Sequence, residues 1–290
     1  MKNLDLSTLP AKKRKQIVSC LRAGIQLLYF LFLPSVFTAA INGVKYIFTQ
    51  LGQGEKIEMT AFVSALLLVC AFTIVFGRFF CGFACAFGSL GDAMHAIYGI
   101  ICKKRKKKPI RIKPELAKKL ALVKYGILLL IALCCFAGVY QKARGTSPWD
   151  VFSMLHAGNF RLSSYIPGIV LLVLILVGMF FEERFFCHFL CPMGAVFSLL
   201  PILPFFTLHR KRENCIRGCS ACTRQCPSAV ELPSDGYVEI SGDCFQCQKC
   251  IDTCPKGNIR CGVKEFHGNE ILFTLFRAVF LLTLLLWAGI

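Results

Sequence analysis

Residues 78–88 read RFFCGFACAFG and residues 184–194 read RFFCHFLCPMG. Seven of the eleven positions are identical, and the copies begin 106 residues apart. Each places C-x-x-x-C behind an R-F-F lead and ahead of a glycine. Each also follows an apolar run, residues 59–77 before the first copy and 164–181 before the second. A bilayer core of about 30 Å needs roughly 20 apolar residues as helix. Three further runs, at about 23–48, 120–140 and 271–290, meet that length, so the expectation is five transmembrane helices. Helices 1–2 plus the first motif and helices 3–4 plus the second then form two copies of one unit, an internal two-fold repeat whose site lies where the copies meet.

Composition agrees. The 290 residues are 56% hydrophobic, with a mean hydropathy of +0.60, above the 45–50% apolar content of a soluble domain. The net charge of +18 comes from 34 basic and 16 acidic residues. The basic residues cluster in short segments beside the apolar runs, the distribution of membrane topology rather than of a nucleic-acid binder. Residues 1–22 carry six Lys/Arg, 103–119 carry ten and 209–264 carry nine, against one in 49–58 and three in 141–163. The Lys/Arg-rich side is cytoplasmic, so the expected orientation puts those three segments inside and the C-terminus outside, in a multi-pass cytoplasmic-membrane protein. The first apolar run also has the form of a cleavable signal, but it is long for one, and a retained helix is expected.

The 18 cysteines do not suit a disulfide scaffold in so long and apolar a chain; thiols kept reduced in or facing the cytoplasm are expected. Eight fall in two runs. Residues 244–255, CFQCQKCIDTCP, have the C-x2-C-x2-C-x3-C-P spacing used for cubane iron–sulfur clusters. Residues 215–227, CIRGCSACTRQCP, are longer by one residue, which Gly218 can absorb. In two-cluster ferredoxins the fourth cysteine of each run serves the other cluster. The expected ligand sets are therefore Cys215, Cys219, Cys222 and Cys254 for one [4Fe-4S] cluster, and Cys244, Cys247, Cys250 and Cys226 for the other. Zinc also uses C-x2-C pairs, but it needs no C-x3-C-P tails.

On an α-helix, cysteines at i and i+4 share a face. Cys81 with Cys85 and Cys187 with Cys191 would thus offer four thiols at the inner membrane boundary, for a further iron–sulfur cluster, a copper or zinc ion, or a thiol–disulfide relay. Cysteine as a small apolar filler accounts for Cys20, Cys70, Cys134 and Cys135, but poorly for two matched pairs. Arg78 and Arg184 serve either as interfacial anchors or as counter-charges to thiolates. Arg277 and Lys124, inside apolar runs, are expected to snorkel or to face the bundle. His95 and His188 are ligand or proton-carrier candidates, with packing the plainer role. Glu182 and Glu183 are candidates for quinone proton chemistry at the membrane edge. Trp149 and His156 belong to an outer loop expected to lie on the membrane or to touch a partner.

The order of helix pair, C-x-x-x-C, helix pair, C-x-x-x-C-P and double ferredoxin run resembles the membrane polyferredoxins of the NapH/NosR type, over about residues 20–262. The resemblance implies electron transfer from quinol or a cytoplasmic donor toward an extracytoplasmic reductase system. There are departures: Ala86 stands where the family usually has proline, and a further helix follows the ferredoxin segment. The flavin domain of some relatives is missing, so a separate extracytoplasmic redox protein, itself flavin-carrying, is the expected partner. The expected organisation is a basic N-terminus (1–22), a helix pair with C-x-x-x-C (23–102), a basic loop (103–119), a second pair with C-x-x-x-C-P (120–208), a small α+β bacterial-ferredoxin-like domain (209–264) and a last helix (270–290). The expected function is an iron–sulfur electron relay, with no substrate pocket of its own legible. The alternative is a metal-handling or assembly factor whose twin motifs carry copper or another soft metal.

Overall fold

The structure is a computed structural model that describes residues 11–107, 109–140, 145–160, 163–203, 207–210, 215–230, 238–239, 242–262 and 270–289. The chain is mostly helical and is a membrane protein by its apolar helices. Three helices are long and apolar enough to cross a bilayer: Glu115–Phe136, Ser163–Phe181 and Glu270–Trp287. A bent helix pair is apolar enough to make a fourth if it acts as one span, and a shorter apolar helix runs from Ala61 to Phe76, so three to four candidate spans stand against the five expected.

The expected first helix, 23–48, is not one rod. It is broken into α1 (Ala11–Phe32) and α2 (Val36–Gln53), whose axes differ by 61°. The break falls at Leu33-Pro34-Ser35. Proline has no N–H to give and its ring clashes with the preceding turn, so the helix cannot run straight through it. The structure continues with α3 (Ala61–Phe76), α4 (Ala86–Lys104), α5 (Pro114–Leu120) and α6 (Val123–Phe136). Then come α7 (Pro148–His156), α8 (Ile166–Phe181) and α9 (Pro192–Leu199), the last stopping before Pro201. α3 is capped by Thr60, whose hydroxyl accepts from Val63 N–H, and α7 likewise by Ser147 from Asp150 N–H.

α7 takes part of the expected outer loop, Trp149 included, into the bundle. Trp149, Val151 and Phe152 are buried in the main core; Phe152 packs on Phe87, just beyond the first motif, at 4.5 Å between ring centres. His156 stacks edge-on against Phe30 at 5.3 Å. The α7 part of the loop thus turns inward, while Leu155 and Phe160 stay exposed, at 38% and 76%.

The Cys-rich segment folds as a small α+β unit: β1 (Thr207–Arg210), α10 (Ala221–Arg224), β2 (Val238–Glu239), α11 (Lys249–Thr253) and β3 (Ile259–Gly262). The sheet has the order β2-β1-β3, and both pairings are antiparallel. α12 (Glu270–Trp287) follows and returns to the bundle; Tyr29 of α1 donates to the Ala278 carbonyl at 2.6 Å.

Candidate metal centres

Neither C-x-x-x-C motif is an α-helix with both thiols on one face. Residues Phe80–Ala84 and Phe186–Leu190 each form a π-helical turn, a wider turn that recurs at functional sites. The second cysteine of each pair then leaves the helix: Cys85 has φ −69°, ψ 123° and Cys191 has φ −72°, ψ 115°. Their N–H groups close the turns onto the Phe80 and Phe186 carbonyls at 2.8 Å in both copies. Each of these cysteines also caps the next helix, α4 or α9. The Cys191 sulfur accepts from Gly194 N–H at 3.2 Å; Cys85 holds the same N-cap position on α4 without a side-chain cap bond. A helix N-terminus favours the thiolate form. The two motifs thus share one local architecture, reached by a different route from the i, i+4 face.

The four thiols are buried and near enough for their charges to interact: Cys191 with Cys187, Cys81 and Cys85, and Cys85 with Cys187. Among the described residues, no three His, Cys, Asp or Glu side chains draw together tightly enough to hold a single metal ion. A cluster takes its thiolates on separate iron corners, spread wider than the ligands of one ion.

Arg78 and Arg184 are not interfacial anchors. Each is 1% exposed, and each crosses into the other copy. Arg184 donates to Asp92 through Nε (2.8 Å) and Nη2 (2.6 Å), and also to the Cys81 and Gly82 carbonyls. It faces Cys187 and Cys247. Arg78 donates to Ser198 Oγ (3.2 Å) and the Gly242 carbonyl (3.0 Å) and faces Cys81 and Cys191. Lys124, also 1% exposed, donates to Asp243 at 2.5 Å and to Ser198 at 2.9 Å. Burial would raise the Asp243 carboxyl, but the Lys124 ammonium and the Arg78 guanidinium outweigh it and hold it below the usual carboxylate range. Arg277 is buried with its guanidinium over the Phe79 ring at 4.6 Å.

The eight ferredoxin cysteines sort into two cavities. Cys215, Cys219, Cys222 and Cys254 line one. Cys226, Cys244, Cys247 and Cys250 line the other, with Cys222 on its wall. In the second loop Gln246 and Gln248 take positive φ, 52° and 61°, an uncommon backbone state that needs outside support. Gln248 supplies it by bonding Thr274 of α12 at 2.9 Å. Four soft thiolates around each cavity are a donor set suited to an iron–sulfur cluster.

Phe245, 1% exposed, joins the second cavity to the twin motif. It lies between Cys244 and Cys247, under Arg78 at 4.8 Å and Arg184 at 5.9 Å. His188 meets its ring edge at 6.4 Å and stacks on Phe189 at 4.4 Å, so His188 is a packing residue. A larger cavity of about 640 Å³ opens beside both sites, lined by Arg22, Gln26, Leu27, Phe30, Asp92, His95, Glu183 and Lys249 among others. Arg22 donates to the Cys247 carbonyl at 2.9 Å, and Gln26 to Asp92 at 2.7 Å. Glu183 pairs with Lys249, whose ammonium is pushed down to about 8 chiefly by burial. Glu182 caps α8 and accepts from Ile112 N–H at 2.9 Å.

The sequence reading missed Asp92, Asp243, Gln26 and Phe245. Asp92 carried a usable signal, being the sole acid in the apolar stretch 86–102. Phe245 carried none, because nothing in a cluster-binding loop marks which side chain docks elsewhere.

Comparison with known proteins places this chemistry. The 4Fe-4S binding domain family matches residues 59–109 and 166–207, one stretch around each C-x-x-x-C motif. An uncharacterized protein of Methanocaldococcus jannaschii is 29% identical over 206 residues, 70% of this chain and 71% of that protein. The ferredoxin-type protein NapH of Haemophilus influenzae is 24% identical, over 72% of this chain and 70% of its own length. The regulatory protein NosR of Pseudomonas aeruginosa is 23% identical over 84% of this chain, which spans only 34% of NosR. No solved structure matches. These similarities group the chain with the NapH/NosR-type ferredoxin-type membrane proteins and support iron–sulfur electron transfer as its chemistry.

Proposed function

We propose that the chain is a three-centre electron relay embedded in the cytoplasmic membrane. Bound clusters would supply the one-electron carriers. Cys215, Cys219, Cys222 and Cys254 hold the first, and Cys226, Cys244, Cys247 and Cys250 the second. Cys81, Cys85, Cys187 and Cys191 hold a third centre where the two repeats meet. The observation that carries the reading is Phe245: it stems from the loop of the second ferredoxin set and is wedged between the two motif arginines. One rigid, dry contact therefore links the soluble part to the buried thiols.

The chain's own residues prepare the third site. The Gly194 N–H and the two helix N-termini work toward the thiolate at Cys191 and Cys85, against burial, which raises both thiols. Arg78 and Arg184 offset the negative charge of a thiolate-bound cluster, and the phenylalanines around them exclude water. The basic N-terminus, loop 103–119 and ferredoxin unit face the cytoplasm, with five crossings and the C-terminus outside, and electrons leave to an extracytoplasmic redox protein. The 640 Å³ cavity is lined by the apolar Leu27 and Phe30 as well as by Asp92, Glu183 and His95. That pairing suits a quinol head, which must shed protons as it gives up electrons.

The test is iron and acid-labile sulfide per chain in anaerobically purified protein, beside a variant with Cys81, Cys85, Cys187 and Cys191 all changed to Ser. Two cubanes account for about eight irons. The expected result is more than eight in the wild type, falling to about eight in the variant. Equal values near eight would remove the third centre; stoichiometric copper would favour the metal-handling reading.

A further inference from the structure

We infer that the basic face around Cys219 is the docking surface for a small, acidic, soluble one-electron carrier. The inference rests on the reading that Cys215, Cys219, Cys222 and Cys254 hold a cluster, and it names the partner of that cluster. Among the eight ferredoxin cysteines Cys219 alone is exposed; the others are half-buried or buried. The second cavity turns inward instead, lined by Phe245 and Gln248, both buried. An external carrier therefore comes nearest a ligand sulfur at Cys219.

Among the described side chains, the exposed charges around it are basic. Arg217, Arg224, Lys256 and Arg260 are exposed, within or beside the two cluster-binding runs. Arg111 donates to the Arg224 carbonyl, which adds a further guanidinium from the basic loop. The two acids of this unit with described side chains do not offset the face: Asp252 is buried and Asp243 is held by Lys124 and Ser198. Membrane topology explains lysines in loop 103–119. The same bias accounts for an excess of Lys/Arg in 209–264 as a whole, but it does not set arginines at 217 and 224, inside a ligand run. A basic patch at an exposed electron port steers an oppositely charged partner and orients it. The step is simple: one electron leaves the reduced carrier, which is oxidised by one, and the cluster held by the Cys219 set is reduced by one. No bond forms or breaks and no proton is required.

The experiment uses the full chain with its clusters, in nanodiscs of neutral lipid, under anaerobic conditions. Flavodoxin photoreduced to its hydroquinone is the probe, and bleaching of the cluster absorbance is followed by stopped flow. The second-order rate should fall about tenfold or more from low to high salt. A triple variant, Arg217→Glu with Arg224→Glu and Lys256→Glu, should lose about as much at low salt, while a small neutral reductant bleaches it at the wild-type rate. A rate indifferent to both salt and charge reversal overturns the inference. So does loss of flavodoxin-driven reduction when anionic lipid replaces neutral lipid, which would make the face a headgroup site. The salt series on the wild type stands even if the variant fails to load. Absence of iron and sulfide, or of bleaching by the small reductant, would instead sink the cluster reading and this inference with it.

Discussion

Arg184 lies against Gly88 of the opposite motif, and Arg78 lies against Gly194: each arginine of one copy occupies the space that a side chain would need at the eleventh position of the other. A Cβ on Gly88 would stand 2.5 Å from Arg184 Nη1 and 2.8 Å from the Cys81 carbonyl oxygen. On Gly194 it would stand 3.0 Å from Arg78 Nη2 and 3.0 Å from the Cys187 carbonyl oxygen. Gly88→Ala should therefore destabilise by about 1–3 kcal/mol, the usual range for overpacking, and Gly194→Ala by less. Thermal unfolding in one detergent ranks them; the reverse order would mean that the arginines do not set the spacing.

The Arg184–Asp92 fork is buried, with side-chain exposures of 1% and 14%. Breaking such a pair leaves one charge unpaired and costs about 3–5 kcal/mol, whereas replacing both partners with apolar residues is often nearly neutral. Asp92→Ala should be strongly destabilising, and Asp92→Leu with Arg184→Met should recover most of the loss. Unfolding midpoints across the three proteins measure it, and a double variant worse than the single would refute it.

Cys226 belongs by sequence to the first run but lines the cavity of the second. Cys226→Ser should disturb the cluster of Cys244, Cys247 and Cys250, and Cys254→Ser that of Cys215, Cys219 and Cys222. Electron paramagnetic resonance of the reduced variants distinguishes the two centres. Loss of the same signal in both variants would show that the ligands do not cross between the runs.

Phe245 is enclosed between two guanidinium groups. Phe245→Ala should cost about 3–5 kcal/mol, as for other buried aromatics. It should also slow reduction of the thiol centre while both ferredoxin signals persist. Unchanged kinetics with a stable fold would remove Phe245 from the relay.

Burial raises the Glu182 carboxyl above its ordinary 4.5, despite the opposing Ile112 N–H and Arg111. The folded chain then holds this proton more tightly than the unfolded chain. The contribution is present below 4.5 and is lost as pH rises through the raised value. Glu182→Gln keeps an acceptor for Ile112 without the charge, so it should melt higher than wild type near neutrality, with the gap closing in acid. A gap independent of pH would assign the effect to packing instead.

Where the sequence spoke clearly, the signal was local. Apolar runs of membrane length, charge bias in the flanking segments and cysteine spacing within a dozen residues each depend on neighbours along the chain. They indicated a helical membrane protein with ferredoxin chemistry, and the repeat of R-F-F-C-x-F-x-C announced a second site. Which groups meet across the fold was another matter. The π-turn at each motif departs from the i, i+4 face because the second cysteine is recruited to cap the next helix. Pro34 was visible, but whether it would bend or end a helix depended on what α1 packs against. The exchange of Arg78 and Arg184 between copies, the meeting of Asp92 with Arg184 across 92 residues and the insertion of Phe245 are contacts between distant segments. They are chosen by the need to pair buried charge and fill space, and that need exists only once the helices are packed.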